Sequence, residues 1–432
     1  MREPRKRWRH LPVRRWLRLP VRLLHLPVRL LHLPVRLHLL PVYAFSALVA
    51  TDPTGAAEGS EDLFVTRAAP VAAISSAEEM PAGSAASESL AAGAPGAPLR
   101  ELWSRKLGRA IKVPPLLVSR RLFVVNTEGR LHCLRVDDGQ KLWSRNLKDP
   151  VEATLAHTRT PGKEGQIHAA VAGRKPRLEA FDATTGKLRW RTRLGGLAEQ
   201  VQGGEDHVWV LLRNGELTCL RTRDGSAVWS RQLESWGPAG FCRLDSLLVL
   251  VAREDSVIAL EAATGAPRWQ RSHPGRYASP PVPQGDGILL LTTDGLLLTV
   301  DAARGEAVAR EQRDAPQFAM PLAGGGRVTT VTGGGLVESG GALEFWKRPL
   351  RQAVTASPAE YLDLVLVGTG RGRLVALDPS SGDSLWTHQA NGGFRVAPLA
   401  DGDRLILATD RGRVSVQQRT PPLHHTSDGG PR

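Results

Sequence analysis

Cys133, Cys219 and Cys242 are the residues of this chain that could carry thiol or metal chemistry, and their placement suits neither. A disulfide framework needs paired cysteines and a zinc site needs close spacing such as CxxC, whereas these three are isolated and odd in number. The adjacent His424 and His425 near the C-terminus offer two imidazoles with no third ligand beside them, a poor metal site. No cofactor and no metal is expected from these residues. What recurs at fixed spacing is tryptophan and glycine, whose chemistry is ring packing and backbone geometry.

The unit that repeats is clearest at Ala180-Phe-Asp182-Ala-Thr-Thr-Gly186-Lys-Leu-Arg-Trp190. Glycine lies four residues before tryptophan in Gly139/Trp143, Gly186/Trp190, Gly225/Trp229, Gly265/Trp269 and Gly382/Trp386, and Gly305/Ala309 is the same unit without its ring. With Trp103 and Trp346 added, the marked positions are separated by 40, 47, 39, 40, 40, 37 and 40 residues. A period of this length identifies a repeat architecture. The 47-residue step carries an insertion, residues 157–166 (HTRTPGKEGQ), expected as a protruding loop.

The elements that must position these residues are strands. Ten residues before the tryptophan position stands a small or medium side chain (Cys133, Ala180, Cys219, Ala259, Thr299, Ala376), as sheets packed face to face require. Two of the cysteines are thereby core residues. An acid at Asp182, Glu261, Asp301 or Asp378, or alternatively Asp138 or Asp224 beside the glycine, can accept hydrogen bonds from the turn that the glycine closes. Apolar runs such as 122–125, 208–212 and 288–291 read as strands buried on both faces, joined to the next strand by turns at Gly129, Gly215, Gly295, Gly372 and Gly412. A further strand precedes each run, often with proline at its edge, as at Pro114-Pro115, Pro280-Pro281, Pro358 and Pro398.

Each repeat is therefore four short antiparallel strands, and such sheets hide their faces when set radially around an axis. The fold class expected is all-β, an eight-bladed β-propeller of four-stranded antiparallel blades. Seven units are complete, and residues 391–418 supply three strands of an eighth that lacks its tryptophan strand. The orphan strand at Trp103 supplies it, so the N-terminal strand closes the last blade. Residues 327–346 are the weakest unit, with a shortened turn and Gly341 out of register, and an irregular blade is expected there.

The unit A-x-D-x-x-T-G-K-x-x-W resembles the tryptophan-docking motif of the pyrroloquinoline-quinone-like (PQQ-like) propeller repeat family, over residues 100 to 419. The resemblance implies a structural docking role for Trp103, Trp143, Trp190, Trp229, Trp269, Trp346 and Trp386 with Gly139, Gly186, Gly225, Gly265, Gly305 and Gly382. In the quinoprotein dehydrogenases of this family the quinone lies between an adjacent-cysteine disulfide and a tryptophan, and this chain has no adjacent cysteines. The chain is similar instead to the BamB-type propellers of outer-membrane β-barrel assembly, non-catalytic scaffolds whose loops contact partner proteins. The function this implies is a protein-binding scaffold of the cell envelope, periplasmic or membrane-associated, and not an enzyme. A sensor using the central channel for a small molecule or polysaccharide is the alternative. Trp236 and Tyr277 fall outside the docking register and read either as exposed anchors for a partner or as filling between blades.

Ahead of the propeller the chain changes character. The net charge of +14 splits into +10 for residues 1–43, −6 for 44–99 and +10 for the remainder. Arginine outnumbers lysine 48 to 9 and no basic-aromatic motif accompanies the charge, so nucleic acid is not an expected partner. Residues 1–50 contain a proline-punctuated heptad repeat that reads as a tandem duplication, as sequence ahead of the true start, or as a basic segment resting on anionic lipid. Their apolar run 39–50 is too short to span a bilayer and fits the h-region of a secretory signal, although no cysteine follows it for lipidation. Residues 51–99, rich in Ala, Ser, Gly and Pro, read as a flexible linker, and 420–432 as a tail.

Overall fold

In a computed structural model of the chain, the described residues are 99–420, apart from 161–162, 234–237, 253, 314–318 and 342–343. The leader expected at 1–50, the linker at 51–99 and the tail at 420–432, with the His424-His425 pair, lie outside the described residues except at their inner ends, where Leu99 begins a strand.

The described residues form eight four-stranded antiparallel sheets, the eight-bladed propeller that the repeats imply. Blade 1 spans Leu116–Asn146, blade 2 Ala156–Arg193, blade 3 Ala198–Gln232 and blade 4 Pro238–Arg276. Blade 5 spans Val282–Gln312, blade 6 Leu322–Pro349 and blade 7 Ala359–Gln389. Blade 8 joins Leu399–Asp401, Arg404–Ala408 and Arg413–Arg419 to the N-terminal strand Leu99–Lys106. That closing strand pairs from Leu99↔Arg419 to Lys106↔Arg413, so the two ends of the propeller share one sheet.

Position in the blade explains the sequence pattern. First strands of successive blades touch one another, as in blades 2, 3, 4 and 5, and so surround the axis. Second and third strands are sandwiched between neighbouring blades, which is why Leu122 to Val125 are at most 1% exposed and read as an unbroken apolar run. Fourth strands form the rim. In Lys141–Asn146 only Trp143 is buried, because the outer face meets water and the inner face needs one large ring. The hydrophobic core is accordingly a series of clusters between adjacent blades, such as Phe123, Cys133 and Trp143 with Ile167, Ala169 and Phe181.

Blade 6 forms its four strands despite its weak repeat, and the shortened turn has a visible effect. In six of the blades a bulge follows the residue opposite the tryptophan position, as between Cys133 and Leu134 or Ala180 and Phe181. In blade 6, Ser339↔Trp346 is followed directly by Gly340↔Phe345, with no shift. The insertion in blade 2 does not protrude as a loop. His157 pairs with Ile167 and Thr158 with Gln166, so the added residues lengthen a hairpin.

Candidate functional site

Two features could serve function: the joints between blades and the cavity around the axis. Each joint is built on the turn between third and fourth strands. Asp182 accepts from Thr184 N (3.2 Å), Thr185 N and Thr185 Oγ1 (both 2.8 Å). Asp301 caps its turn in the same manner, while Asp138 and Asp224 take over where arginine occupies the first acid's place.

The glycine of each turn lies beneath a tryptophan, but not the one four residues ahead. Gly139 faces Trp103, Gly186 faces Trp143, Gly225 faces Trp190, Gly265 faces Trp229, Gly305 faces Trp269 and Gly382 faces Trp346. The partner is thus always the ring of the preceding blade. At all six glycines a Cβ would come within 2.4–2.7 Å of that ring, and φ is +65° to +74°. Two independent demands, a left-handed turn and the absence of a side chain, fall on one residue.

The indole Nε1 then donates to the carbonyl three residues before the glycine: Trp103 to Val136 (2.7 Å), Trp143 to Ala183 (3.2 Å) and Trp190 to Thr222 (2.7 Å). Trp229, Trp269 and Trp346 donate likewise to Ala262, Ala302 and Pro379 at 3.2, 2.9 and 2.8 Å. Opposite five of the rings stands the small residue ten positions earlier, as Cys133 against Trp143 and Ala180 against Trp190, which leaves room for the indole on the sheet.

Two joints lack this arrangement. Ala309 of blade 5 has no ring to offer blade 6, and blade 6 has no glycine turn to receive one, so two irregularities distant in sequence belong to a single joint. There the buried Arg313 guanidinium lies 4.9 Å from the Phe345 ring instead. At the other, Trp386 is 5% exposed and packs with Phe394, Leu405 and Leu407, since blade 8 is closed by the chain ends and has no turn at that corner.

Sequence reasoning missed two sets of docking residues. The side chain two positions after the tryptophan donates to the glycine carbonyl: Arg145 to Gly186 (2.6 Å), Thr192 to Gly225 (2.7 Å) and Arg348 to Gly382 (2.7 Å). The signal was present as W-x-R at Trp103, Trp143, Trp229, Trp269 and Trp346. Trp209, hidden inside an apolar run, is 4% exposed and donates to Ala262 O at 3.0 Å, the carbonyl that Trp229 also uses.

The axial cavity, about 660 Å³, opens against the first strands of blades 3, 4 and 5. Gln200, Gln202, Phe241, Pro280 and Met320 are among the residues that line it. Gln200 bridges blades 3 and 4 by donating to Phe241 O (2.8 Å) and accepting from Phe241 N (2.9 Å). Buried Gln202 Oε1 has no hydrogen-bond partner, and Met320 is 42% exposed. Cys242 also reaches this cavity, but burial pushes its thiol up to about 12, so it is no nucleophile near neutrality. Cys133 and Cys219 are raised to about 12 for the same reason. Among the described residues no three of His, Cys, Asp and Glu converge on a metal-binding position.

Tyr277 is not an exposed anchor. It is 4% exposed, sits in the cluster of Cys242, Val249 and Trp269, and its hydroxyl points to His273 O at 3.4 Å, because the chain turns it inward on the way to blade 5. Trp236 lies outside the described residues.

The family model described as outer membrane protein assembly factor BamB matches residues 97–161, 155–247, 213–342 and 334–420. The chain is 25% identical over 244 residues to outer membrane protein assembly factor BamB of Moranella endobia (strain PCIT), covering 52% of this chain and 61% of that protein. It is 27% identical over 227 residues to that of Yersinia pestis, covering 49% and 56% respectively. The matched stretch thus spans little more than half the length of these relatives. The crystal structure of BamB from Moraxella catarrhalis superposes with a TM-score of 0.64 at 17% identity, covering 74% of this chain and 99% of that one.

Proposed function

The chain belongs to the family of the outer membrane protein assembly factor BamB, and from that premise we propose that it is a non-catalytic scaffold of the bacterial cell envelope that holds partner proteins for outer membrane protein assembly. The observation that carries this reading is that the family match runs through every blade, from residue 97 to 420, rather than through one motif. Fold alone would not suffice, since propellers serve many functions.

The chemistry of the sites supports binding over catalysis. Aspartates, tryptophans and glycines at the joints are occupied with turns and docking. The axial cavity offers amides, an aromatic ring, prolines, an exposed thioether and the carboxylate of Glu199, which is paired with Arg213, a surface suited to an extended polypeptide whose backbone would satisfy Gln202. Affinity capture of the tagged full chain from its own cells, with membrane and soluble fractions kept apart and the mature N-terminus sequenced, tests the proposal. Envelope proteins are expected with the wild type and in smaller amount with Met320→Asp. Recovery of an unprocessed soluble form without envelope proteins would overturn it.

A further inference from the structure

The eight joints are internal controls for one another, and the joint between blades 8 and 1 departs from the rest in charge. In each blade the residue just before the one opposite the tryptophan position looks back toward the preceding blade: His132, Glu179, Thr218, Ile258, Leu298, Glu338, Val375 and Ser415 in blades 1 to 8. Where cations gather at this row, a buried carboxylate meets them. Glu179, 3% exposed, binds Arg177 at 2.7 Å and Arg191 at 2.8 Å. Glu338, fully buried, binds Lys347 at 3.2 Å.

Blade 1 keeps the first of these cations, has Ser144 in the place of Arg191, and lacks the acid. Arg130 occupies the place of Arg177, Lys141 lies at the other end of the same strand pair opposite Leu134, and Arg105 and Lys106 face them from the closing strand of blade 8. Together they ring a cavity of about 550 Å³ with His132 in its wall. The one carboxylate at the rim, Glu128, is engaged by Arg109 at 3.2 Å. His132 is 7% exposed, and neither of its ring nitrogens makes a hydrogen bond of good geometry. Arg105 is also free of the duty its counterpart performs: Arg145 donates to Gly186 O, and among the described residues no such bond joins Arg105 to Gly139.

We propose that this joint is a binding site for an external phosphate group, free or carried on a lipid headgroup, held by Arg105, Lys106, Arg130 and Lys141 with His132 at its floor. At blade 2 the carboxylates of Glu179 and Asp149 meet two arginines, whereas here four cations line one cavity with Glu128 as its one carboxylate, which favours a multiply charged anion. An imidazole that reaches only the Leu107 backbone in a cationic pocket gains a hydrogen bond and, on protonation, an ion pair when the anion enters.

The test uses the full chain and inorganic phosphate, by calorimetric titration and thermal melting at fixed ionic strength, with chloride as control. A second arm uses sedimentation with phosphatidylcholine vesicles with and without phosphatidylglycerol. Phosphate should bind and raise the melting temperature. His132→Glu, which restores the carboxylate of blade 2, should abolish phosphate binding and raise the melting temperature without phosphate. The exposed pair Arg130→Gln, Lys141→Gln should fold normally and bind at least tenfold more weakly, a check that stands even if His132→Glu does not fold. Variant-sensitive binding of inorganic phosphate supports a site for the free anion. Variant-sensitive retention on phosphatidylglycerol vesicles alone supports a headgroup site. Phosphate no more effective than chloride, together with vesicle retention that the double variant leaves unchanged, overturns the proposal.

Discussion

Gly225 separates a role inside its own turn from a role beneath its neighbour's ring. A Cβ there would lie 2.4 Å from Trp190 Cε3 and 2.5 Å from Thr192 Oγ1, with φ at +73°. Holding alanine in the left-handed region costs roughly 1–2 kcal/mol, and forcing a methyl into a packed joint costs about 1–3 kcal/mol more. Gly225→Ala is thus expected to destabilise the protein by about 2–5 kcal/mol. Trp190→Ala should cost about 3–5 kcal/mol, since it empties a buried joint and leaves Thr222 O without its donor. With the ring gone, the methyl still meets the Thr192 hydroxyl, which can turn aside into the vacated space, so Gly225→Ala in that background should cost about 1–2 kcal/mol for the left-handed backbone and little more. The double-mutant cycle, measured by urea denaturation, should therefore show coupling of about 1–3 kcal/mol between residues 190 and 225. Trp229, four residues ahead of Gly225, docks on blade 4 and should couple to Gly225 by less than about 0.5 kcal/mol. Strong coupling to Trp229 and none to Trp190 would refute the assignment of this glycine to the joint.

Deleting residues 1–98 should leave the propeller folded, whereas deleting 1–107 removes the strand paired from Leu99 to Lys106 and the Trp103 joint, and should lower the melting temperature sharply; equal melting of the two truncations would contradict closure by this strand. Stability should fall on the acid side of neutrality, because His132 is lowered to about 4 by burial, Arg130 and Lys141, and His168 to about 3 by burial and His157. Their unfolded forms bind protons below about 6.5, so stability is complete above that pH and lost as pH falls toward the folded values, by about 2 kcal/mol each at pH 5. Melting that does not change between pH 7.5 and 5 would refute this, and His168→Gln should flatten the slope. Cys133, Cys219 and Cys242 should resist thiol reagents until the chain unfolds, as mass spectrometry after brief alkylation in the presence and absence of urea will show.

The sequence by itself determined the blade count, the four strands per blade and the closing role of Trp103, because turn chemistry and strand burial are local and repeat eight times. An aspartate capping a turn or a glycine at positive φ needs only neighbours a few residues away, so its signature survives in the chain. Tertiary structure alone decided which ring meets which glycine, since Gly186 lies four residues from Trp190 in sequence yet docks under Trp143 across a joint that exists only when the blades stack. It also turned Tyr277 inward, folded the insertion at 157–166 into a hairpin, and merged Ala309 and the short turn of blade 6 into one altered joint. The cationic pocket at His132 was illegible for the same reason. Its charges come from residues 105, 106, 130 and 141 on two blades, and no local spacing records that closing the ring would bring them together without the carboxylate that blade 2 provides.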